Sequence, residues 1–273
     1  MKTQGEGRTI LRWAGSKRRL VKRLANLLPR RWENYVEPMA GAAALFFHLG
    51  PRKALLGDIN PELVNFYKVL RNDTSELISR LISLRASKTQ YYVIRESTPT
   101  SELNRAIRFA YLNRLCWNGL YRVNQKGDFN VPMGDRLPRK LWDPEELNAA
   151  ARQLRRAKLV NADFETTLGR LKAGDFAFVD PPYPRGAQTG FGFNRYATDF
   201  FSFEDHIRLG RIIEQLDRRG VLLMVLLSQS PDILRHYPLW FNRIPLRSKS
   251  LISSRSESRR MVSEIVMTNY VRS

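Results

Sequence analysis

Asp180, Pro181, Pro182 and Tyr183 stand consecutively behind a short apolar run, Phe176-Ala177-Phe178-Val179, that Gly174 and Asp175 bound. The run has the length and character of a buried strand. Two prolines end it. They fix φ and carry no N–H, which leaves neighbouring carbonyls free to accept hydrogen bonds. In open α/β sheets, ligands bind beyond the carboxyl ends of the strands, where this cluster would lie. It suits chemistry on an exocyclic amino group, a poor nucleophile because its lone pair is delocalised into the ring. A carboxylate and a backbone carbonyl can accept its two N–H bonds and favour a pyramidal nitrogen. The Tyr183 ring can stack on the base, a contact of about 1–3 kcal/mol. The same residues also suit a strand followed by a proline-rich loop with an incidental tyrosine.

The elements that must position this cluster read as alternating strands and helices. Asn34 to Pro38 forms a strand that runs into the small residues Ala40-Gly41-Ala42-Ala43-Ala44 and a helix ended by Gly50. Such a strand–turn–helix unit opens nucleotide-type folds, where a cofactor must approach the backbone closely. A second strand, Ala54 to Gly57, ends at Asp58, about twenty residues on, where an acid can bind ribose hydroxyls. Asn60 and Pro61 read as an N-cap and first helical residue. Lys158 to Asn161 is a further strand, followed by Ala162-Asp163-Phe164. Ser202 with Asp205 resembles a capping box, and Gly220 ends that helix. Val221–Leu227 is a buried strand, and Val262–Tyr270 a late alternating one.

Near the start, Ser16 is placed to cap a helix with Leu20, Val21, Leu24, Leu27 and Leu28 on one face. Lys17, Arg18, Arg19, Lys22 and Arg23 fall on the other, as an anion site or a solvated basic face. Residues 1–9 read as a loose arm. From residue 72 to 155 helical patterns dominate, over Glu76–Leu84, Glu102–Leu115 and Glu145–Leu154. Between the last two, the alternation around Gln125–Asp128 suggests a β-hairpin. A ribbon carrying Asn118, Arg122, Asn124 and Lys126, with Pro132 nearby, fits a major groove, or is a structural hairpin with a wet side. Pro184–Thr198, rich in glycine and aromatics, reads as a flap. Arg247–Arg260, with Arg255 and Arg259, reads as a loop able to grip phosphates.

Lys and Arg number 46 against 26 acids, a net charge of +20, which points to a polyanion, with nucleic acid first. The single Cys116 allows no intramolecular disulfide and no cysteine zinc site, and the scattered His48, His206 and His236 suggest no metal. No apolar run is long enough for a membrane span and no signal peptide opens the chain. A cytoplasmic protein is expected.

Taken in order, RWAGSK, VEPMAGAAALF, LLGDIN, YLNRLCWNGLYRVNQKGDFNVPMG and FVDPPY resemble the Dam-type DNA adenine-N6 methyltransferases, the D12 class with α-type motif order. The resemblance covers about residues 10 to 270. It implies an α/β, Rossmann-like class I methyltransferase sheet at residues 1–71 and 156–273. A mostly helical target-recognition domain, carrying the hairpin, would be inserted at 72–155. It implies S-adenosyl-L-methionine as cofactor, with Trp13, Lys17, Asp58 and Asp180 in contact with it, Glu37 and Gly41 in the loop beside it, and Phe164 flanking its adenine. Asp180 and the Pro181 carbonyl would hold the amino group of a flipped adenine, with Tyr183 stacked on it and Pro182 completing the turn. The substrate would be double-stranded DNA, frequently at GATC, bound by a monomer without metal. The chain departs from the pattern at Ala43, where a glycine is usual, and at Ser228-Gln229-Ser230, where an Asn-His-type pair is. Cytosine-N4 methylation on the same fold, an RNA adenine methyltransferase and a non-catalytic DNA-binding protein are the alternatives.

Overall fold

The computed structural model describes residues 9–135, 137–138, 140–182, 201–249 and 261–271, with side chains 247–249 and 261–263 left aside. Tyr183, the 184–198 stretch, Arg255 and Arg259 therefore lie outside the described residues. Among those described, seven strands form one sheet in the order β3-β2-β1-β4-β5-β7-β6. The strands are β1 Tyr35–Glu37, β2 Ala54–Asp58, β3 Ala157–Asn161, β4 Phe176–Val179, β5 Leu222–Ser228, β6 Asn242–Lys249 and β7 Met261–Thr268. The first five run parallel, and β7 inserts antiparallel between β5 and β6. Their carboxyl ends therefore share one edge, and the order reverses between β1 and β4, the switch point at which open α/β sheets bind ligands. This is the Rossmann-like α/β sheet that the motifs imply.

Both faces of the sheet are covered, which is why its central strands read as unbroken apolar runs. Strand alternation sends Tyr35, Phe176, Phe178, Met224, Leu226 and Val266 to one core. It sends Val36, Ala177, Val179, Leu223, Val225 and Leu227 to the other. The helices are α1 Val21–Ala25, α2 Ala44–Leu49, α3 Pro61–Asn72, α4 Thr74–Ser83, α5 Lys88–Glu96, α6 Glu102–Leu115, α7 Pro144–Leu154, α8 Phe164–Leu168, α9 Phe203–Arg218 and α10 Pro231–Leu234. Helix α3 starts as expected: the Asn60 side chain accepts from the Glu62 and Leu63 amides, with Pro61 in the first turn. The capping box at Ser202 and Asp205 is closed on both sides. Helix α9 lays Leu209, Ile212, Ile213 and Leu216 on the second core. Each such side chain is worth about 1.5–3 kcal/mol of burial.

Helices α4, α6 and α7 share the first core through Leu77, Leu81, Phe109, Leu147 and Leu154, so it is continuous from sheet to helical region. A third cluster, of Tyr91, Tyr111, Leu112, Leu115, Cys116, Phe129 and Val131, holds the hairpin segment onto α5 and α6. Cys116 is a buried thiol there. No helix among the described residues is long and apolar enough to cross a membrane.

Two expectations change. Ser16 does not cap a continuous helix: its side chain makes no capping bond, and a single 3-10 turn, Lys17–Arg19, precedes the short α1. The cause is Lys17, which is buried while Arg18, Arg19, Lys22 and Arg23 are exposed. Secondly, Arg247 and Lys249 belong by backbone to β6 rather than to a loop. Pro245 sits inside that strand, which is tolerated because β6 is at the sheet edge. Helix α5, for which the sequence reading named no element, has strand-like composition at its centre, Tyr91-Tyr92-Val93-Ile94, but Ser87 caps it as a helix.

Candidate active site

The site grows from one face of the sheet. Residues at alternate positions share a face, so Glu37 follows Tyr35, Asp180 follows Phe178, Ser228 follows Leu226, and Glu264 precedes Val266. Four polar groups thus end the first core at its carboxyl edge, where the apolar pattern stops. Lys17 caps this row. Its ammonium lies 2.8 Å from Asp180 Oδ1 and 3.8 Å from Glu264 Oε1. It also donates to the Gly15 carbonyl at 2.9 Å. Burial raises the Asp180 carboxyl above its usual value and Lys17 pulls it back, with Glu264 adding to the rise. Lys17 is thus set against Asp180, not out in solvent on a basic face.

The small-residue turn after β1 forms the neighbouring wall. Gly41 N donates to Asp58 Oδ2 at 2.9 Å, and Asn60 N donates to Asp58 Oδ1 at 2.9 Å. Tyr67 fastens the same loop by donating to the Gly41 carbonyl at 2.8 Å. Asp58 therefore pins the loop, with lone pairs remaining on a carboxylate that can accept about four bonds. Gly41 has φ +48°, and a Cβ there would meet the Trp13 ring at 2.9 Å. Only a bare backbone lets the indole come so close.

Ala43 shows why a glycine is usual at its position. Its φ of 48° and ψ of 44° are left-handed, and it sits at the start of α2. That conformation costs an alanine about 1–2 kcal/mol, against about 0.4–1 kcal/mol for the freedom a glycine loses on folding. Ala43→Gly should therefore stabilise the fold by up to about 1 kcal/mol, read as a higher urea midpoint. Equal or lower stability would remove this explanation.

Glu37 faces inward. It is buried, and Tyr35 Oη and Phe46 N both donate to its Oε1. Burial pushes its carboxyl from 4.5 to about 8, against the two hydrogen bonds. The folded chain therefore holds a proton that the unfolded chain releases near 4.5, so stability falls as pH rises from 4.5 to about 8. Glu37→Gln copies the protonated side chain. It should flatten the decline of melting temperature over that window, and an unchanged slope would contradict the assignment.

The remaining expected residues divide. Trp13 stacks on Tyr121, with centroids 6.1 Å apart and planes at 21°. Its neighbour Arg12 exchanges backbone hydrogen bonds with the Asn113 amide at 3.0 and 2.6 Å. The loop beside Gly41 and the hairpin segment thus meet across Trp13. Phe164 opens α8, largely buried, with the Arg208 guanidinium 4.3 Å from its ring centroid.

In the hairpin segment the ladder reduces to single bridges, Val123 to Phe129 and Cys116 to Met133. Arg122 Nε donates to Asn130 Oδ1 at 2.7 Å. The Asn124 carbonyl oxygen accepts from the Lys126 and Asp128 amides, so that side chain builds the turn. Asn118, Lys126 and Pro132 are exposed. Pro181 is buried beside Asp180 and Pro182 is exposed.

Glu264, Tyr121 and Asn113 were not foreseen, and Ser228 was singled out only as a departure from the family pattern. The signal for Glu264 was an acid inside an apolar alternating strand, where a charge stays only if it is paired.

A family model described as D12 class N6 adenine-specific DNA methyltransferase matches residues 13–249. The chain is 35% identical over 273 residues to Type II methyltransferase M1.LlaDCHI of Lactococcus lactis subsp. cremoris, covering 96% of this chain and 95% of that protein. It is 32% identical to Type II methyltransferase M.MjaIII of Methanocaldococcus jannaschii, over 97% of this chain and 100% of that one. It is 31% identical to the DNA adenine methylase of Escherichia coli strain K12, over 96% and 95%.

Proposed function

Because the chain belongs to the D12 class of N6 adenine-specific DNA methyltransferases, which take S-adenosylmethionine as donor and DNA as substrate, we propose that the carboxyl end of β4 holds the target adenine extruded from the duplex. The single observation that carries this is Asp180. It is a largely buried carboxylate at the sheet's switch point, with a proline next to it and a lysine fixing one of its oxygens.

The residues present fit the cofactor. The Gly41 turn has no side chain to exclude it, Asp58 offers lone pairs at the end of β2, and the nearby carboxylates suit a cation. Trp13, Lys17, Glu37, Gly41, Asp58 and Phe164 are the residues we assign to its pocket. When bound, it supplies an electrophilic methyl group on a sulfonium. Asp180 and the Pro181 carbonyl accept the two hydrogens of the adenine amino group and orient its lone pair, with Tyr183 stacked on the base. Orientation supplies much of the acceleration. Extrusion costs a few kcal/mol, offset by phosphate contacts that make binding strongly salt-dependent.

We assign residues 72–155 to target recognition, with Asn118, Arg122, Lys126 and Pro132 on the DNA side of the hairpin segment and Arg255 and Arg259 on phosphates. Asn124 enters this reading as the residue that shapes the turn. The protein acts as a cytoplasmic monomer, with GATC as its site on the likeness of the recognition segment.

The test uses duplexes with 2-aminopurine in place of the target adenine, within GATC and within a scrambled sequence. Binding should raise fluorescence in the first duplex and not in the second. No rise in either would remove extrusion, and equal rises would remove GATC.

A further inference from the structure

Lys17 is held by more than Asp180. Glu264 comes from β7, where its backbone pairs with Ser228 of β5 on one side and Leu246 of β6 on the other. Its side chain is 5% exposed, Lys17's 8% and Asp180's 19%. One ammonium thus faces two carboxylates away from water, and the carboxylate on the stiffer support is not the one that must meet the substrate.

We propose that Glu264 is a positioning residue for methyl transfer: it holds the Lys17 ammonium from the β7 side, so that Asp180 shares that cation and keeps its capacity to accept the adenine amino hydrogens. This rests on the role given above to Asp180.

Lys17 and the adenine amino group would compete for the lone pairs of Asp180. A lysine 2.8 Å from a single carboxylate, in a site shielded from water, makes that carboxylate a weaker acceptor. A second carboxylate across the ammonium draws the cation back and restores acceptor strength. Among the described residues, this one cation and these two anions carry one net negative charge, which suits a site that must receive a sulfonium. A neutral residue at position 264 would remove one of the two carboxylates that the described residues set around the ammonium.

Among the described residues, the other titratable groups on this face are Glu37, whose carboxyl the Asp180 charge helps to keep protonated, and Tyr35, bonded to Glu37. Gly15, through its carbonyl, and Ser228, paired opposite Glu264, add neutral dipoles. The charge relation gives a signature that packing would not. Glu264 raises the affinity of Asp180 for a proton and Lys17 lowers it. The acidic limb of the rate profile should therefore move in opposite directions when either is neutralised.

Single-turnover methyl transfer from labelled S-adenosylmethionine to duplex DNA, measured across pH, tests this with the full chain. Glu264→Gln should lower the midpoint of the acidic limb by about one pH unit and the plateau rate by about tenfold. Glu264→Asp, which keeps the charge, should keep the limb. Lys17→Gln should move the limb upward. An unmoved limb in Glu264→Gln, or equal impairment of the Gln and Asp variants, would overturn the proposal. Should Glu264→Gln fail to fold, an unmoved or lowered limb in Lys17→Gln would do so. An active Asp180→Asn enzyme would instead overturn the role of Asp180 itself, whereas an inactive one beside an unmoved Glu264→Gln limb would remove this inference alone.

Discussion

Asp180→Asn should reduce single-turnover methyl transfer by about a hundred- to a thousandfold or more, the loss seen when one preorganised polar group is removed from a reacting centre. Asparagine keeps the size of the side chain but reverses the sense of half of it. Its NH₂ group would face either the Lys17 ammonium or the amino hydrogens of the substrate, donor against donor. One carbonyl oxygen would be left to serve both. The fold should survive, because Lys17 retains Glu264 and the Gly15 carbonyl. Duplex affinity at low salt should stay within about threefold, since phosphate contacts dominate it and Asp180 makes none. A filter-binding titration beside the rate measurement separates the two effects. Equal losses in binding and in rate would mean that Asp180 shapes the DNA surface rather than the reaction.

The second large effect is expected at Gly119, inside the motif NGLYRVN. Gly119 has φ +65°, and a Cβ there would lie 2.6 Å from Arg12 Cβ and 2.9 Å from the Arg12 carbonyl carbon and oxygen. The obstacle is backbone, so no side-chain rotation relieves it. Gly119→Ala should cost about 1–2 kcal/mol for the left-handed conformation and about 1–3 kcal/mol for the overlap. Melting temperature should fall by several degrees, at about 2–4 °C per kcal/mol for a chain of this size. Because Arg12 is bonded to Asn113 and leads directly to Trp13, cofactor affinity by calorimetry should weaken too, though residue 119 lies in the hairpin segment. Unchanged melting and unchanged cofactor affinity would show that the Arg12 contact is not as close as described. Weaker melting with normal cofactor affinity would show that Trp13 does not join the two regions.

How much of this was legible in the chain depends on whether the information is local. Strands β1, β2, β4 and β5 were plain because burial on both faces makes them continuous apolar runs. Helix α6 was readable to its ends, and the caps at Asn60 and Ser202 are decided within four residues. Strand β6 was not, because Pro245 and the arginines around it argue for a loop until its place at the sheet edge is known. The helix expected after Ser16 failed for a related reason. Its amphipathic pattern is real, yet Lys17 is drawn down by Asp180 and Glu264, which lie far along the chain, and the first turn tightens to suit.

The site divides in the same way. Asp180, Lys17, Asp58 and Gly41 were picked out by motif, and the structure gathers them at one edge of the sheet. Their mutual arrangement was not legible. Asp58 pins the Gly41 turn, a task that spacing alone does not reveal. Arg122 rests on Asn130, and Asn124 is consumed by its own turn, so the hairpin's polar residues are less available than their types suggested. Glu264 required the register of β7 against β5, which no local pattern encodes.

The role proposed for Asp180 and the Pro181 carbonyl is to hold the amino group of an extruded adenine. The most direct measurement is a crystal structure of the protein with a non-transferring cofactor analogue and a duplex containing its target site. The adenine should lie out of the stack, with its amino nitrogen within about 3 Å of both an Asp180 carboxylate oxygen and the Pro181 oxygen. An adenine still paired in the duplex, or one extruded with its amino group turned to other partners, would contradict it.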